Sequence, residues 1–321
     1  MSLPAALENR LKLPLIAAPM FLVSGPALVK AACRAGVIGS FPTANCRSVE
    51  ELDAWLADIK AATAGAAPFC PNLIVHRSNP RVQADLAAVL RAGAEIVITS
   101  VGSPEPVLKP LKDAGCLVLA DVASVRHAQK AVAAGVDGLV LLTAGAGGQT
   151  GWVNPFAFVR AVRQFWDGIV VMAGGMSDGH AIAAAETLGC DLAYMGTKFI
   201  ATRESLAKDA YKQMLVSSRL DDVLLTRAFT GLETNMLRPS IAAAGLDPDD
   251  LPQRGAIDIA KDINAAEREK SAEGPNAKRW KDIWSAGHSV SGVADVPAVA
   301  DLVERTAVEY AAARSTRSTR P

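Results

Sequence analysis

Short apolar runs alternate with longer segments of helical spacing through the first two thirds of the chain. This alternation is typical of parallel β/α units. The runs predict eight strands, which close into a (β/α)8 TIM barrel more naturally than they form the alternative, an open doubly wound sheet. The predicted strands are Leu13–Ala18, Val37–Phe41, Phe69–Val75, Glu95–Ser100, Cys116–Asp121, Gly138–Leu142, Ile169–Ala173 and Asp191–Met195.

The segments between these runs predict helices, several of which end in Ala-Gly, a usual helix stop. They are Gly25–Ala35, Val49–Ala62, Pro80–Ala92, Pro104–Ala114, Val125–Ala134, Pro155–Phe165 and Gly179–Leu188.

The alternation stops after Thr202, so residues 1–202 are predicted to form the barrel. Helical spacing at Ser205–Ser218 and Asp258–Lys270 predicts a mostly helical cap over residues 203–285. Residues 286–321 are predicted to hold a late active-site loop, a closing helix at Val296–Ala312 and a disordered tail.

Two glycine turns follow the last two predicted strands, at Gly174-Gly175 and at Gly196-Thr197. Glycine allows backbone N–H groups to approach a ligand closely, and the N-terminus of a helix favours negative charge. The loops after the seventh and eighth strands are the usual phosphate site of a TIM barrel. The turns therefore predict a barrel that binds a phosphorylated cofactor or substrate.

The charge balance excludes several classes of partner. Lys+Arg and Asp+Glu are both 33, which gives no indication of a nucleic acid or a membrane surface as partner. No apolar run approaches the roughly 20 residues of a membrane span, and the N-terminus does not read as a secretory signal. The five cysteines lack metal-ligand spacing, so we expect no metal site, reduced thiols and a cytoplasmic location.

Three polar or soft features lie in or at the ends of predicted strands. Ala18, Pro19 and Met20 end the first strand and offer either a surface for a flat ring or ordinary core packing. Asn72 lies inside an apolar strand, where its amide needs a ligand or backbone partner. Asp121 either contacts a ligand or caps the next helix through Asp121-x-x-Ser124, and capping is favoured.

The glycine-rich loop Thr143–Gly151 lacks the third glycine of a dinucleotide fingerprint, and Trp152–Pro155 delay the following helix. We interpret it as an active-site loop that presents Gln149, with a plain connector as the alternative. Of the four histidines, only His288 lies in a Gly/Ser-rich segment and is a catalytic candidate. Without obvious acid–base machinery, a cofactor is expected to supply the chemistry.

Together these motifs resemble the nitronate monooxygenase family, formerly called 2-nitropropane dioxygenases, which are FMN-dependent barrels. The resemblance covers most of the chain. It rests on Pro14–Met20, Asn72 in its strand, Ser124–Ala128, Ala144–Gly151, Ala173–Gly179, Met195–Phe199 and Trp284–Val290.

The resemblance implies an FMN cofactor and assigns residues to it. Gly174, Gly175, Gly196 and Thr197 are expected to hold the FMN phosphate. The isoalloxazine ring is expected along Ala18, Pro19, Met20 and Asn72, with Gly147 and Gly148 also at the cofactor.

Two departures from the family pattern bear on catalysis. Many members carry His, assigned as a base, where this chain has Gln149, and often Gln where this chain has His288. Gln cannot abstract a carbon-bound proton, which leaves His288 as the candidate base.

The expected reaction is oxidation of small alkyl nitronates by molecular oxygen, in a monomer or homodimer. The alternatives are an FMN-dependent NAD(P)H:quinone or enoyl-thioester reductase, and a cofactor-free phosphosugar isomerase or aldolase-like barrel.

Overall fold

The architecture is taken from a computed structural model that describes residues 3–251 and 282–318. Eight parallel strands close into a barrel, each paired with its neighbour and the last with the first, so the predicted TIM barrel is confirmed. We number all strands in chain order, with β7 lying outside the barrel. The barrel strands are β1 (Leu15–Ala17), β2 (Ile38–Pro42), β3 (Phe69–Ile74), β4 (Ile96–Ser100), β5 (Leu117–Val122), β6 (Gly138–Leu142), β8 (Ile169–Ala173) and β9 (Leu192–Met195).

Helices follow the strands and cover the outside of the barrel. Ser48, Ser124 and Asp178 cap three of them by accepting a backbone N–H, and left-handed glycines such as Gly93 and Gly135 end others. The helices are Ala5–Glu8, Pro26–Arg34, Val49–Ala62, Val82–Ala92, Glu105–Asp113, Val125–Ala134, Pro155–Val162, Gly179–Leu188, Thr197–Ile200, Asp209–Ser217, Arg238–Ala243 and Val299–Ser318, with 3-10 turns at Thr43–Asn45, Leu220–Asp222 and His288–Gly292.

The alternation of side chains along each strand divides the core into two parts. On β5, Val118 and Ala120 pack outward in the core that the helices cover, whereas Leu117 and Leu119 point into the barrel. The inner core also contains Leu7, from the short helix ahead of β1, and Leu3, which precedes that helix. All five cysteines are buried free thiols.

The segment after β9 contains a small sheet in addition to the predicted helices. β10 (Val223–Thr226) and β11 (Thr234–Leu237) pair antiparallel, and β11 also pairs with β7 (Gly148–Gln149) in the glycine-rich loop. This sheet fixes the loop over the barrel mouth. The helix predicted at Asp258–Lys270 lies outside the described residues.

The C-terminal helix is longer than predicted. It runs over Val299–Ser318, so residues 313–318, which were expected to be disordered, continue the helix. It packs against Gly179–Leu188, where a Cβ on Gly179 would lie 2.1 Å from the Tyr310 nitrogen. Within the described residues, no helix combines the length and apolar character that crossing a membrane requires.

Candidate active site

A cavity opens at the carboxyl ends of the barrel strands. It is lined by all the residues that the sequence assigns to the cofactor, namely Ala18, Pro19, Met20, Asn72, Gly147, Gly148, Gly174, Gly175, Gly196 and Thr197. The structure therefore brings the two glycine turns, the first-strand loop and the glycine-rich loop together at one place. Their role in cofactor binding stays a prediction.

The turn after β8 depends on two glycines for different reasons. Gly174 has φ +115°, and a Cβ there would lie 2.4 Å from the Thr143 Oγ1 atom. Gly175 has φ +73°, but a Cβ there would meet no atom within 4 Å. Gly174 is thus required by packing, whereas Gly175 leaves open space at the cavity wall.

The turn after β9 leaves a similar opening. The nearest atoms to a Cβ on Gly196 would be the Ala18 Cβ and the Met20 Sδ, both at 3.6 Å. Within the described chain, the backbone N–H groups of Gly175 and Gly196 donate no hydrogen bond to another protein group. Free donors beside open space at the end of two parallel strands are suited to an anion.

The late loop is attached to the same place by close backbone packing. The Gly287 nitrogen donates a hydrogen bond to the Thr197 Oγ1 at 2.9 Å, and the His288 nitrogen donates to the Gly145 oxygen at 2.9 Å. A Cβ on Gly287 would lie 2.6 Å from the Gly145 oxygen. The loop after β6 and the late loop therefore form a single wall, and glycine is needed where they touch.

The loop after β1 is held by two side chains that the sequence interpretation did not identify. Asn45 donates to the Met20 oxygen at 3.1 Å and accepts from the Leu22 nitrogen at 2.9 Å. The Ser24 hydroxyl accepts a hydrogen bond from the Met20 nitrogen at 3.0 Å. These contacts fix the backbone that places Met20 at the cavity.

Asn72 is buried at the cavity floor and bonds to a neighbouring strand. Its Nδ2 lies 3.1 Å from the Ser100 Oγ and 3.5 Å from the Ile98 oxygen. The Ser100 hydroxyl also donates to the Asn72 Oδ1 at 3.2 Å, so both Nδ2 hydrogens are used and one acceptor position of Oδ1 is left for a ligand. Ser100 also lines the cavity and was not singled out from the sequence.

The interpretation of Asp121 as a helix cap is wrong. Ser124 caps the helix Val125–Ala134, where its hydroxyl accepts the hydrogen bond of the His127 nitrogen. Asp121 instead follows Leu117 and Leu119 on the inner face of β5 and lines the cavity. Burial raises the pKa of its carboxyl to about 7, and its Oδ1 has no hydrogen-bond partner among the described residues.

The two predicted catalytic residues lie in different positions. Gln149 lines the cavity, held in β7 by the pairing with Thr234. The His288 side chain is exposed and is not among the lining residues; its ring lies against Gly145, where a Cβ would come within 2.7 Å of the His288 Nδ1. Lys198, which follows Thr197, lies in a separate cleft with Asp295 and Glu309.

Aromatic side chains form the wall opposite the barrel floor. Tyr211 and Trp284 stack with ring centroids 5.0 Å apart and an interplanar angle of 12°. Both line the cavity, and the Tyr211 hydroxyl donates a hydrogen bond to the Ser285 oxygen. The wall thus offers an apolar face to the cavity, because the Tyr211 hydroxyl already has a hydrogen-bond partner.

A second cavity of about 660 Å³ adjoins the first. Val101, Asp121, Leu142 and Gln149 line both cavities and mark the junction between them. The second cavity extends under the loop between β10 and β11. Its polar lining includes His76, His127, Lys130 and the ion pair of Arg227 with Glu233, at 2.8 Å.

Comparison with known proteins gives concordant relatives. Residues 80–309 match the family model for nitronate monooxygenase. A nitronate monooxygenase from Paraburkholderia phytofirmans is 30% identical over a 338-residue alignment that covers 90% of each chain.

A second relative and a solved structure extend the comparison. (3aS,4S,5R,7aS)-5-hydroxy-7a-methyl-1-oxo-octahydro-1H-indene-4-carboxyl-CoA dehydrogenase from Mycobacterium tuberculosis is 29% identical over 231 residues, which is 71% of this chain but 64% of that protein. The structure of nitroalkane oxidase from Streptomyces ansochromogenes superposes with a TM-score of 0.80 at 25% identity, covering 98% of this chain and 100% of that one.

Proposed function

This chain belongs to the nitronate monooxygenase family, and from that premise we propose that it binds FMN and oxidises alkyl nitronates with molecular oxygen. The predicted family and the prediction of an oxidoreductase enzyme are confirmed. FMN, the nitronate substrate and oxygen are the proposal.

The residues at the cavity fit FMN. The open space at Gly175 and Gly196, with free N–H groups beside it, suits a phosphate. Pro19 and Met20 supply a soft surface for a flat ring, and the Asn72 Oδ1 keeps one acceptor position for a donor on the edge of that ring. This meeting of two open glycine turns in one cavity is the observation that carries the proposal.

Each group of residues has a defined task in this proposal. Gly174, Gly175, Gly196 and Thr197 would hold the phosphate, while Ala18, Pro19, Met20 and Asn72 would lie along the ring, with Gly147 and Gly148 close by. Bound FMN would supply the electron transfer between substrate and oxygen, which no side chain can supply.

The chain's own contribution to the reaction is binding and orientation. The Gln149 amide lines the junction of the two cavities and can donate a hydrogen bond to a nitro oxygen of the substrate. The Tyr211–Trp284 wall excludes water from one side of the cavity. A nitronate has already lost the proton from the carbon beside its nitrogen, so Gln149 does not need to act as a base.

A second candidate function is reduction of an enoyl thioester or quinone by NAD(P)H. The observation that favours it is the second cavity, which is larger than a small nitronate needs and carries Lys130 and His127. The relative named as a carboxyl-CoA dehydrogenase acts on a CoA thioester, which is a long and anionic molecule.

Two measurements on purified protein separate these functions. The absorbance spectrum, followed by mass identification of the released chromophore, tests for FMN. Oxygen consumption with freshly ionised nitronates and anaerobic bleaching by NAD(P)H then test the reaction. A yellow protein that consumes no oxygen with any nitronate but is bleached rapidly by NAD(P)H would belong to the reductases, and a colourless protein that does not bind added FMN would refute both.

The monomeric or homodimeric state and the cytoplasmic location stay predictions. Size-exclusion chromatography with light scattering measures the first, and fractionation of the source cells the second.

A further inference from the structure

Asp121 lies at the inner, mouth-side end of β5, and the proposed function gives it no task. We propose that Asp121 is a catalytic residue that removes the proton from the carbon beside the nitro group of a neutral nitroalkane. The proposal rests on the proposed function for its substrate, and it extends that function from ionised nitronates to their neutral forms.

The alternation of side chains along β5 places the Asp121 side chain on the inner face of the barrel. Leu117 and Leu119 belong to the apolar interior of the barrel, and Asp121 is the next residue on the same face. Its position is fixed by the pairing of Asp121 with Val140 on β6. Together with Gln149 it lines both cavities, so the two side chains face the same junction.

The fold leaves part of this carboxyl without a partner. Its Oδ1 has essentially no exposed surface and no hydrogen-bond partner among the described residues. A buried polar atom without a partner costs about 1–3 kcal/mol, and more when it is charged. Because Oδ1 has no partner in the described fold and Asp121 lines both cavities, the carboxyl is able to take up a proton from a ligand bound there.

The other titratable groups around the junction are poorly suited to the task. Burial raises the pKa of Tyr194 well above its usual value, so its phenol stays neutral. Cys70, which is near enough to feel the Asp121 charge, also has a raised pKa and does not line either cavity. Among the predicted catalytic residues, Gln149 cannot bind a proton usefully and His288 lies outside the lining.

The remaining charged and titratable side chains face Asp121 from the second cavity. They are His76 after β3, His127 and Lys130 on the helix after β5, and Arg227 with Glu233 in the β10–β11 loop. These groups are set back from the first cavity, whose lining they do not join.

The proton transfer balances without any further reactant. The C–H bond breaks, its electron pair forms the carbon–nitrogen double bond of the nitronate, and the proton binds to Asp121. The negative charge moves to the nitro oxygens, to which Gln149 can donate. Burial raises the pKa of Asp121 to about 7, and a general base works best when its pKa lies near the working pH.

The test follows proton removal separately from oxidation. Exchange of the substrate's α-hydrogen for deuterium is measured by NMR without oxygen, and turnover of neutral and freshly ionised substrate is compared side by side. Asp121→Asn keeps the shape and removes the base, and Asp113→Asn makes the same change on an exposed helix position. We expect Asp121→Asn to lower both the exchange rate and the neutral-to-ionised rate ratio by about 10²–10⁴-fold, and Asp113→Asn to leave both unchanged.

Failure of the proposal is distinguishable from failure of the proposed function. Wild-type protein that exchanges deuterium but does not oxidise nitronates would refute the function and retain the base. Wild-type rates of exchange in Asp121→Asn, or no exchange in wild-type protein, would overturn the role of Asp121. If Asp121→Asn does not fold, Asp121→Glu should retain exchange with a shifted pH profile, and an unchanged profile would also overturn it.

Discussion

The charge of one side chain at the turn after β8 tests the phosphate site. Gly175→Asp places a carboxylate where a Cβ meets no atom within 4 Å, so the change adds charge without a steric clash. A carboxylate about 5 Å from a phosphate charge, at an effective dielectric constant of about 20, costs about 3 kcal/mol for each negative charge. For a phosphate that carries about two negative charges, the loss of binding free energy is about 6 kcal/mol, which is about 10⁴-fold in FMN affinity.

The chain offers a matched control for backbone strain. Gly65 has φ +76° and, like Gly175, open space around its Cβ position, but it lies in an exposed loop before β3. Gly65→Asp therefore introduces the same left-handed strain of about 1 kcal/mol and the same charge away from the site. Gly175→Asn adds a side chain of the same shape without the charge.

The assay is the ratio of flavin to protein absorbance, followed by FMN titration of the apoprotein and far-UV circular dichroism for the fold. We expect Gly175→Asp to lose FMN while it keeps its circular dichroism, Gly65→Asp to keep both, and Gly175→Asn to lie between them. Full flavin occupancy in Gly175→Asp, or equal loss in Gly65→Asp, would refute this location of the phosphate.

Three further changes test other parts of the site. Asn72→Leu removes the amide beside Ser100 and should weaken FMN binding or shift its potential; an unchanged affinity and potential would restrict Asn72 to bonding between strands. Gln149→His should raise turnover of neutral nitroalkanes relative to ionised ones, and an unaltered ratio would mean that this position does not reach the substrate carbon. The raised pKa of Asp121 makes the folded protein lose stability as pH rises from about 4 to about 7, because the folded state binds the proton more tightly than the unfolded one. Between pH 5 and pH 8 this loss is about 2–3 kcal/mol. The melting temperature of apoprotein Asp121→Asn, relative to that of wild-type apoprotein, should therefore rise from pH 5 to pH 8. A difference in melting temperature that does not change with pH would contradict the raised pKa.

Local signals predicted most of the barrel. The helices Val49–Ala62, Val125–Ala134 and Gly179–Leu188 have their predicted bounds, because a Ser or Asp cap begins each one and two of them end at a left-handed glycine. The sequence did not predict the pairing between distant segments. β11 is stabilised by pairing with Gly148–Gln149, more than 80 residues away, and neither segment has a strong strand pattern of its own.

The directions of two polar side chains, Asp121 and His288, could not be predicted from the sequence. An Asp-x-x-Ser pattern permits either residue to cap a helix, and only the inward turn of β5 assigns the cap to Ser124 and leaves Asp121 in the cavity. The Gly/Ser-rich surroundings of His288 indicated a loop, and Trp284, Ser285 and Ser289 of that segment line the cavity. The direction of its side chain depends on the contact between Gly287 and the glycine-rich loop, which only the folded chain shows.

The location of a base on β5 rather than on the glycine-rich loop has a cost and an advantage. Ionising Asp121 inside the fold costs about 4 kcal/mol, which corresponds to the rise of its pKa from 3.8 to about 7. That cost is a large part of the stability of an ordinary protein, and no hydrogen bond to Oδ1 among the described residues offsets it. A barrel strand paired on both sides holds a side chain more rigidly than a loop does; β5 pairs with β4 and β6, and Asp121 itself pairs with Val140 on β6. With an amide at Gln149, the loop can bind the nitro group while the strand removes the proton, so the two tasks fall to two side chains that face one junction.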